Sequence, residues 1–204
     1  MKNNYCTIYL VRHGRTDWNE KGLIQGHTDR ALDSMGKTQA LDLAKELKHI
    51  RFDKVFSSDL LRAKKTAEII ALEHKLAVET TSVLRERNFG YLEGQPNEKV
   101  REIQRIISTL EESKRFSYKH HPTIESDGEV VTRLLIFLRE TAVSYPRKNI
   151  LVVTHGGGIR TLLIKLGFFT HADRANINNL AYVKLESDGV DFFVKETKGI
   201  GIKD

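Results

Sequence analysis

The chain has 204 residues, of which 40% are hydrophobic and 29% charged, and this composition is typical of a globular protein that buries its own core. No apolar stretch approaches the roughly 20 residues of a membrane helix, and a single cysteine excludes a disulfide framework. The net charge of +6 favours an anionic partner, but the basic residues are spread along the chain and match no common nucleic-acid-binding motif, so we expect a small phosphorylated molecule rather than nucleic acid or a membrane.

The N-terminus runs directly into the first predicted strand, residues 5–11. Residues 1–4 do not have the charged region followed by an apolar region that marks a signal peptide. Together with the single cysteine, this favours a cytoplasmic protein. Cys6 lies inside the strand, where we expect a small core residue rather than a nucleophile.

Strand and helix patterns alternate along the first half of the chain, which predicts an α/β sheet with helices on its faces. The strand at 5–11 is followed by a helix that begins at Asp33 or Ser34 and continues to about Ile50. Three further elements follow in order: a strand at 54–58, a helix that starts at Asp59, and a strand at 77–84. Glycines and mixed charges then break both periodicities.

The second half begins with a predicted insertion. Apolar residues at helical spacing extend from Asn97 to about Lys114, and a basic stretch follows up to His121. We interpret residues 94–125 as a small helical cap inserted into a single domain that covers residues 1–204. The remaining predicted elements are a helix at 127–144, a strand at 149–154, a helix at 159–166 and a hairpin of strands 182–185 and 192–195.

Two of the predicted strands end in the same way, with a histidine followed by a glycine. The strand at 5–11 runs into Arg12, His13 and Gly14, and the strand at 149–154 runs into His155 and a glycine. Ligands of open α/β sheets bind at the carboxyl ends of the strands, so we expect His13 and His155 to share one pocket. Either histidine alone would be interpreted as an ordinary loop residue.

The residues near these strand ends suit phosphoryl transfer through a histidine. His13 would be the nucleophile, while Arg12 and Arg62, early in a helix that follows a strand, would bind the phosphate oxygens with their planar guanidinium groups. His155 and Asn19 would add hydrogen-bond donors. We expect the nearby cations to lower the pKa of His13 and keep its ring neutral near pH 7.

Glu86 is the candidate acid for the departing oxygen. A carboxyl group that faces a bound phosphate should stay protonated to a higher pH than usual and can then protonate the leaving group. The local sequence fits a solvated charged turn at residues 85–87 slightly better than this catalytic role.

Ten consecutive residues, from Leu10 to Asn19, resemble the opening signature of the histidine phosphatase superfamily, the phosphoglycerate-mutase-like proteins. Further blocks resemble the family in the same order: residues 25–26, 32–36, 57–63, 84–94, 125–126 ahead of Arg133, and 153–157. The resemblance therefore extends over nearly the whole chain.

The resemblance implies a three-layer α/β/α sandwich around a mainly parallel sheet. It also implies a phosphatase that uses no metal or other cofactor, in which His13 is transiently phosphorylated and Glu86 donates a proton and later acts as the base for water. Arg12, Arg62 and His155 would hold the phosphate. From the same motifs we predict a substrate-binding set made of Thr16, Asn19, Gln25, Gly26 and Gly156.

The sequence lacks the motifs of several other enzyme classes: no zinc-protease motif, no Cys-x-x-Cys pair and no P-loop. The glycines at 156–158 do not have the spacing of a dinucleotide-binding loop. His120 and His121 are adjacent, and the side chains of adjacent residues rarely converge on one metal ion.

The chain departs from the family pattern at three positions, with Arg15 in place of the usual Glu or Gln, Tyr91 in place of Trp and Ile124 in place of Gly. Arg15 is interpreted as an outward-facing surface residue. Two alternatives to a phosphatase stay open. One is a phosphoglycerate mutase, against which the short cap at 94–125 argues. The other is a catalytically silent phosphate-binding protein, against which the retention of His13, Glu86 and His155 argues.

Overall fold

A six-stranded mixed sheet lies at the centre of the computed structural model, which describes residues 4–202. Its strands are β1 (Cys6–Arg12), β2 (Lys54–Ser58), β3 (Val78–Thr81), β4 (Asn149–Thr154), β5 (Ala175–Ser187) and β6 (Phe192–Ile202). They are arranged in the order β3-β2-β4-β1-β5-β6. The first four are parallel to one another, and β5 and β6 add an antiparallel edge. The predicted mainly parallel α/β sheet is confirmed.

Seven helices accompany the sheet in this part of the chain. They are α1 (Asp17–Glu20), α2 (Ser34–Leu47), α3 (Leu61–His74), α4 (Glu98–Thr109), α5 (Glu112–Arg115), α6 (Asp127–Ser144) and α7 (Gly156–Lys165). Within residues 4–202, no helix has the length and apolarity needed to cross a membrane. The N-terminal residues 1–3, on which the signal-peptide argument partly rests, lie outside the described residues.

Helices cover both faces of the sheet, because successive residues of its central strands point to opposite sides. Ile8 and Leu10 of β1 pack in one apolar cluster with α6 and α7. Tyr9 and Val11 pack in a second cluster with α2 and α3. A strand that is buried on both faces reads as an unbroken apolar run, which is how β1 and β4 appear in the sequence. The result is the three-layer α/β/α arrangement.

The ladder between β1 and β4 fixes the positions of the two histidines. Arg12 pairs with Thr154 at the end of the parallel register, and the backbone N–H of His13 donates to the carbonyl of Thr154 at 3.0 Å. Each strand therefore ends at the same level. His13 and His155 emerge side by side at the carboxyl edge of the sheet.

A third apolar cluster packs the predicted cap against neighbouring loops. The buried face of α4 presents Ile103 and Ile107 to Ile24, Leu92 and Ile124, which come from the loops near the same edge of the sheet. The cap helix predicted at 97–114 is divided in the structure into α4 and the one-turn helix α5. This packing sets the charged face of α4 beside the site described below.

Several predicted boundaries were wrong. Helix α3 begins at Leu61 instead of Asp59, and α7 begins at Gly156 instead of Ile159. The strand predicted at 77–84 is limited to Val78–Thr81 and is followed by a short 3-10 turn. The terminal hairpin is longer than predicted at both of its strands. By contrast, β2, β4 and α6 have the predicted bounds.

Candidate active site

His13 and His155 lie against each other at the end of β1 and β4. Their ring centroids are 5.1 Å apart, with the ring planes inclined at 60°. The side chains of both residues are buried, with residue exposures of 3% and 0%. The two distant strand ends therefore bring the histidines together, although of the two only His13 lines the cavity described below.

The tautomer of His13 follows from one hydrogen bond. Its Nδ1 lies 2.7 Å from the carbonyl oxygen of Gly14. A carbonyl can only accept, so Nδ1 must carry the proton, and Nε2 keeps its lone pair. The carbonyl of His13 in turn accepts from the side chain of Asn179 at 3.0 Å. The backbone thus holds the imidazole with Nε2 unprotonated and without a recorded hydrogen bond.

Both histidines are neutral at physiological pH. Burial is the largest cause that lowers the pKa of His13 well below its ordinary value, and the charges of Arg62 and Arg12 lower it further. Burial followed by the charge of Arg62 lowers the pKa of His155 in the same direction. The direction predicted for His13 is confirmed, although desolvation contributes more than the cations on which the prediction relied.

Arg62 is fully buried in the first turn of α3. Its Nη2 donates to the carbonyl of Gly26 at 2.7 Å and its Nη1 to the carbonyl of Thr28 at 3.1 Å. Burial lowers its pKa to about 10, so it remains a cation at neutral pH. The side chain therefore both carries charge into the site and holds the loop at 26–28 against α3.

Arg12, the last residue of β1, is also held by a backbone carbonyl. Its Nη1 donates to the carbonyl of Ile177 on β5. Burial lowers its pKa, and the nearby charge of Glu86 opposes that shift. Arg12 thus reaches the site from the sheet, while Arg62 reaches it from a helix.

Four buried nitrogen atoms of this cluster have no hydrogen-bond partner among residues 4–202. They are Nε of Arg12, Nε of Arg62 and both ring nitrogens of His155. Buried donors without an acceptor are costly, and native structures rarely keep several of them together. An anion with several acceptor oxygens, such as a phosphoryl group, would satisfy the two guanidinium Nε atoms and the one protonated ring nitrogen of the neutral His155.

Glu86 is held at the same site by backbone donors. Its Oε1 accepts from the N–H of Arg87 at 2.8 Å and its Oε2 from the N–H of Gly157 at 3.0 Å. Its own carbonyl accepts from Nη2 of Arg133 at 3.0 Å and lies 2.9 Å from Nε2 of His27. A solvated charged turn would not show this degree of positioning, so the structure favours a functional role for Glu86.

A cavity of about 270 Å³, here called the strand-end cavity, joins these residues. Eight of the predicted site residues line it: Arg12, His13, Asn19, Gln25, Gly26, Arg62, Glu86 and Gly156. His155 and Thr16 are not among its lining residues. His155 contacts the site through its packing against His13.

Thr16 is fully buried and has a structural role at the first helical turn. Its hydroxyl accepts from the backbone N–H of Asn19 at 3.2 Å, and the amide oxygen of Asn19 accepts from the backbone N–H of Thr16 at 3.2 Å. This reciprocal capping box uses the amide oxygen of Asn19 and leaves its amide nitrogen for a ligand. The structure thus places Thr16 behind Asn19.

Glu93 is a positioning residue to which the sequence analysis gave no role. Its Oε1 accepts from the backbone N–H of His27 and its Oε2 from that of Thr28, both at 2.8 Å. Together with Arg62, it fixes the 26–28 loop beside the cavity. The only sequence signal was its place in one of the family blocks, where its contacts could not be foreseen.

Glu125 and Arg133 form a second ion pair that positions the site. Both residues belong to the family motifs, but the sequence did not indicate what they contact. Arg133 Nε donates to Glu125 at 3.0 Å, and its Nη1 donates to the carbonyls of Val83 and Arg85 at 2.6 and 2.7 Å. Glu125 also accepts from the backbone N–H of Asn88 at 2.8 Å. This pair ties the loop that carries the candidate acid to α6.

The residues at which the chain departs from the family pattern lie away from the strand-end cavity. Arg15 forms ion pairs with Asp33 at 2.8 Å and with Glu20 at 3.3 Å, so its charge is already matched by carboxylates. Tyr91 is 54% exposed and packs edge-on against His121. Neither side chain lines the cavity.

The lowered pKa of the two buried histidines predicts a pH-dependent stability. Below about pH 6.5, the unfolded chain takes up protons that the folded state excludes, so the free energy of unfolding should fall as the pH decreases from 6.5, by up to about 1.4 kcal/mol per pH unit for each histidine. Above pH 6.5 this contribution should be constant. Urea unfolding between pH 5 and 7.5 measures it.

The double variant H13Q/H155Q should show a smaller slope than the wild-type protein, while H49Q, which removes an exposed histidine, should leave the slope unchanged. Asp127 does not interfere, because the hydrogen bond from His171 and the charge of Arg87 outweigh the effect of burial and lower its pKa to about 2. A slope that is the same in H13Q/H155Q and in the wild type would contradict the assignment.

Comparison with known proteins agrees with this geometry. The family model of the histidine phosphatase superfamily (branch 1) matches residues 8–198. An uncharacterised phosphatase of Bacillus subtilis is 35% identical over 159 residues, covering 78% of this chain and 76% of the relative. A probable phosphoglycerate mutase of Proteus mirabilis is 36% identical over 174 residues, covering 82% and 78% of the two chains.

A solved structure extends the similarity to three dimensions. The crystal structure of a mutant phosphoserine phosphatase from Entamoeba histolytica, in complex with phosphoserine, matches with a TM-score of 0.80 at 26% identity. The match covers 94% of this chain and 96% of the other chain. The fold is therefore shared with a phosphatase of known structure, and the sequence is similar to proteins that carry phosphatase and mutase names.

Proposed function

Since this chain belongs to the histidine phosphatase superfamily, branch 1, we propose that it hydrolyses the phosphate monoester bond of small phosphorylated metabolites through a phosphohistidine intermediate on His13. Family membership and the phosphatase-named relatives support the hydrolase activity. One observation carries the mechanism. The free Nε2 of His13 lies in a cluster of buried side-chain nitrogens that have no hydrogen-bond partner within the described part of the chain.

In the first step, Nε2 of His13 attacks phosphorus and the bond to the ester oxygen breaks. The carboxyl group of Glu86 gives its proton to that oxygen, and the alcohol leaves. The unpaired Nε atoms of Arg12 and Arg62 donate to the phosphoryl oxygens, and a ring N–H of His155 adds a neutral donor. These donors are fixed before the reaction begins, so little reorganisation is needed as charge shifts onto the oxygens.

In the second step, water attacks the phosphohistidine. The carboxylate of Glu86, now deprotonated, takes a proton from the water, and the P–N bond breaks with the electron pair returning to Nε2. Inorganic phosphate leaves, and the proton on Glu86 restores the acid for the next cycle. One carboxyl group thus serves both steps, because its two oxygens are fixed by backbone donors beside the cavity.

We propose that the reaction needs no metal ion. The fully buried guanidinium of Arg62 and the partly buried one of Arg12 already bring positive charge to the place where a metal would neutralise the phosphoryl oxygens. The lone cysteine is in the core, where burial raises the pKa of its thiol to about 12, and it takes no part in the chemistry. We also propose a cytoplasmic location, which suits a chain with one unpaired cysteine.

The experiment that tests this function measures both products. The purified protein is incubated with a panel of phosphorylated metabolites, and released inorganic phosphate is quantified beside any isomer of the substrate. Phosphate release at multiple turnovers would support a phosphatase. Isomer without phosphate would identify the mutase that the Proteus relative's name suggests, and neither product would leave a silent phosphate-binding protein.

Replacement of Glu86 should matter more when the leaving group is poor. An alkoxide must be protonated as it departs, whereas p-nitrophenolate is stable enough to leave almost unassisted. We therefore expect E86Q to slow phosphoenzyme formation from an alkyl phosphate by about 10²–10⁴ and from p-nitrophenyl phosphate by much less. Single-turnover quench measurements isolate this step.

The comparison is made within one variant, so any change in the contacts of Glu86 to Arg87 and Gly157 affects both substrates equally. Q104A, which alters another residue lining the strand-end cavity, serves as the control and should not change the ratio of the two rates. Equal losses for both leaving groups in E86Q would remove Glu86 from the acid role.

A further inference from the structure

A second and larger cavity adjoins the strand-end cavity. It has a volume of about 600 Å³, and we call it the arginine chamber after four of its lining residues, Arg101, Arg105, Arg160 and Arg174. The two cavities share five lining residues: Arg101, Gln104, Arg160, Ala175 and Asn176. A molecule bound at His13 can therefore continue from one cavity into the other.

The charge of the arginine chamber is poorly balanced by its own carboxylates. Asp173 is the one acidic residue among those recorded as lining it. Its carboxylate is already used by Thr170, whose backbone N–H and hydroxyl donate to it at 2.6 and 2.9 Å. Four arginines thus line a space in which a single carboxylate among the recorded lining residues supplies counter-charge.

Arg160 is the most informative of the four because it is only 8% exposed. Its recorded hydrogen bond within residues 4–202 is a long one of 3.4 Å to the carbonyl of Asp173. The buried carboxylate of Asp127, whose charge also acts on Arg160, accepts its hydrogen bonds from Arg87 and His171. None of the Arg160 nitrogens is among the buried atoms without a partner in residues 4–202, so the guanidinium is weakly paired by the protein and still open to a ligand.

The cap contributes the other cations through helical spacing. Arg101 and Arg105 are four residues apart on α4 and so lie on one face, while the apolar Ile103 and Ile107 are buried on another. Arg101 has one ion pair, with Glu98 at 3.4 Å, in which both side chains are 63% exposed, and such surface pairs are weak. Both arginines remain available to an anion.

The geometry points to a second anion site in the arginine chamber, which binds a phosphate group carried by the leaving-group half of the substrate. This inference rests on the proposed function and narrows its substrate class to phosphate monoesters that bear a second phosphate. The phosphate to be cleaved would lie at His13, and the second would lie among Arg101, Arg105, Arg160 and Arg174.

A phosphate suits the chamber better than a carboxylate does. A phosphate monoester carries close to two negative charges at neutral pH and has three terminal oxygens, so it can accept from several guanidinium groups at once. A carboxylate carries one charge and would leave most of the four cations unmatched. The volume of about 600 Å³ also exceeds what a single carboxylate needs.

The kinetic test uses alkanediol bisphosphates of increasing length and alkyl monophosphates of the same lengths. For the wild-type protein, we expect kcat/KM of the best bisphosphate to exceed that of its monophosphate by at least about tenfold, which corresponds to about 1.4 kcal/mol. In the double variant R105Q/R174Q, that ratio should fall to within about twofold, while kcat/KM for p-nitrophenyl phosphate stays unchanged. Arg105 and Arg174 are exposed, so their replacement should not disturb the fold.

R139Q is the matched control, because it removes an exposed arginine of α6 that lines neither cavity. It should keep the preference for bisphosphates. The absence of any preference in the wild-type protein would overturn the inference. So would an equal loss of monophosphate and bisphosphate activity in R105Q/R174Q, since that would mean the two arginines act on the reacting phosphate.

A binding measurement separates this inference from the proposed function. Calorimetry with an alkane bisphosphonate and the corresponding monophosphonate needs no turnover, because P–C bonds are not hydrolysed. The bisphosphonate should bind at least about tenfold more tightly to the wild type and R139Q, but not to R105Q/R174Q. This result would hold even in a protein that failed to hydrolyse any ester. A phosphonate ending in a carboxylate that bound as tightly as the bisphosphonate would overturn the choice of a second phosphate.

Discussion

Replacement of His13 by alanine should reduce phosphatase turnover by at least about 10⁴-fold, because enzymes that act through a covalent intermediate lose most of their rate with the nucleophile. The substitution removes Nε2 of His13, the ring nitrogen that we propose attacks the phosphoryl group. His155 does not replace it, because in the proposed mechanism the ring of His155 donates to a phosphoryl oxygen and does not attack phosphorus. Steady-state phosphate release measures the effect.

Folding of H13A is checked separately, because the residue is 3% exposed and its removal leaves a small void. Circular dichroism and a thermal melt should show a folded protein. H74A is the matched control: it removes another histidine with a buried, unpartnered ring nitrogen from α3, away from the cavity, and should keep full turnover. Activity of H13A within tenfold of the wild type would contradict the assignment of the nucleophile.

Replacement of Arg62 should cause the next largest loss, for two reasons that can be separated. The guanidinium supplies a buried positive charge with a free Nε, and loss of such a donor is expected to cost about 10²–10³ in kcat. It also holds the carbonyls of Gly26 and Thr28, so R62Q should in addition lower the melting temperature. R62K keeps the charge but cannot form the planar set of contacts, and should retain only part of the rate.

The two effects of Arg62 are distinguished by comparing these variants with E93Q, which loosens the same 26–28 loop without removing a cation from the cavity. If loop support is the whole role of Arg62, then R62Q and E93Q should lose similar amounts of activity. We expect R62Q to lose far more. A rate for R62Q equal to that of E93Q would place Arg62 outside the phosphate-binding set.

The sequence was sufficient to predict the central part of the fold and the meeting of the two histidines at one edge of the sheet. The strands β1 and β4 are buried on both faces, so their apolar runs are long and unambiguous, and a histidine follows each. In a parallel sheet, these facts alone bring His13 and His155 to one edge. The capping box of Ser126 and Glu129 likewise fixed the start of α6 at its predicted residue.

The start of α3 shows why other boundaries were wrong. Asp59 is of a residue type that often caps a helix, but its carboxylate instead pairs with Arg85 at 2.6 and 2.7 Å. The first N–H of the helix, that of Leu61, is bound by Asp29 at 2.8 Å. A cap supplied from 32 residues away in the chain leaves no local signal.

The glycines after His155 were misread for a related reason. As helix breakers they delayed the predicted start of α7, yet they form its first turn. A side chain at Gly157 would place its Cβ 2.4 Å from Oε1 of Glu86, and one at Gly156 would place it 3.2 Å from Nε of Arg12. Glycine is needed at these positions because Glu86 and Arg12 approach the helix so closely, which is a tertiary constraint.

The arginine chamber could not be predicted at all from the sequence. Its four arginines come from α4, α7 and the segment before β5, and only the packing of the cap brings them together. In the sequence, their charge appears as part of a basic excess spread along the chain. Long-range packing, rather than local pattern, decides where that excess acts.

A phosphohistidine intermediate on His13 is the step on which the proposed mechanism depends most directly. In the decisive measurement, the protein is mixed with a ³²P-labelled substrate in the presence of excess chelator and quenched in alkali within milliseconds, and the labelled peptide is identified. We predict a phosphoenzyme that survives base, decays in acid and carries the label on His13, formed at the same rate with and without the chelator. Turnover without such an intermediate, a label on another residue, or a strict need for added metal would contradict the account.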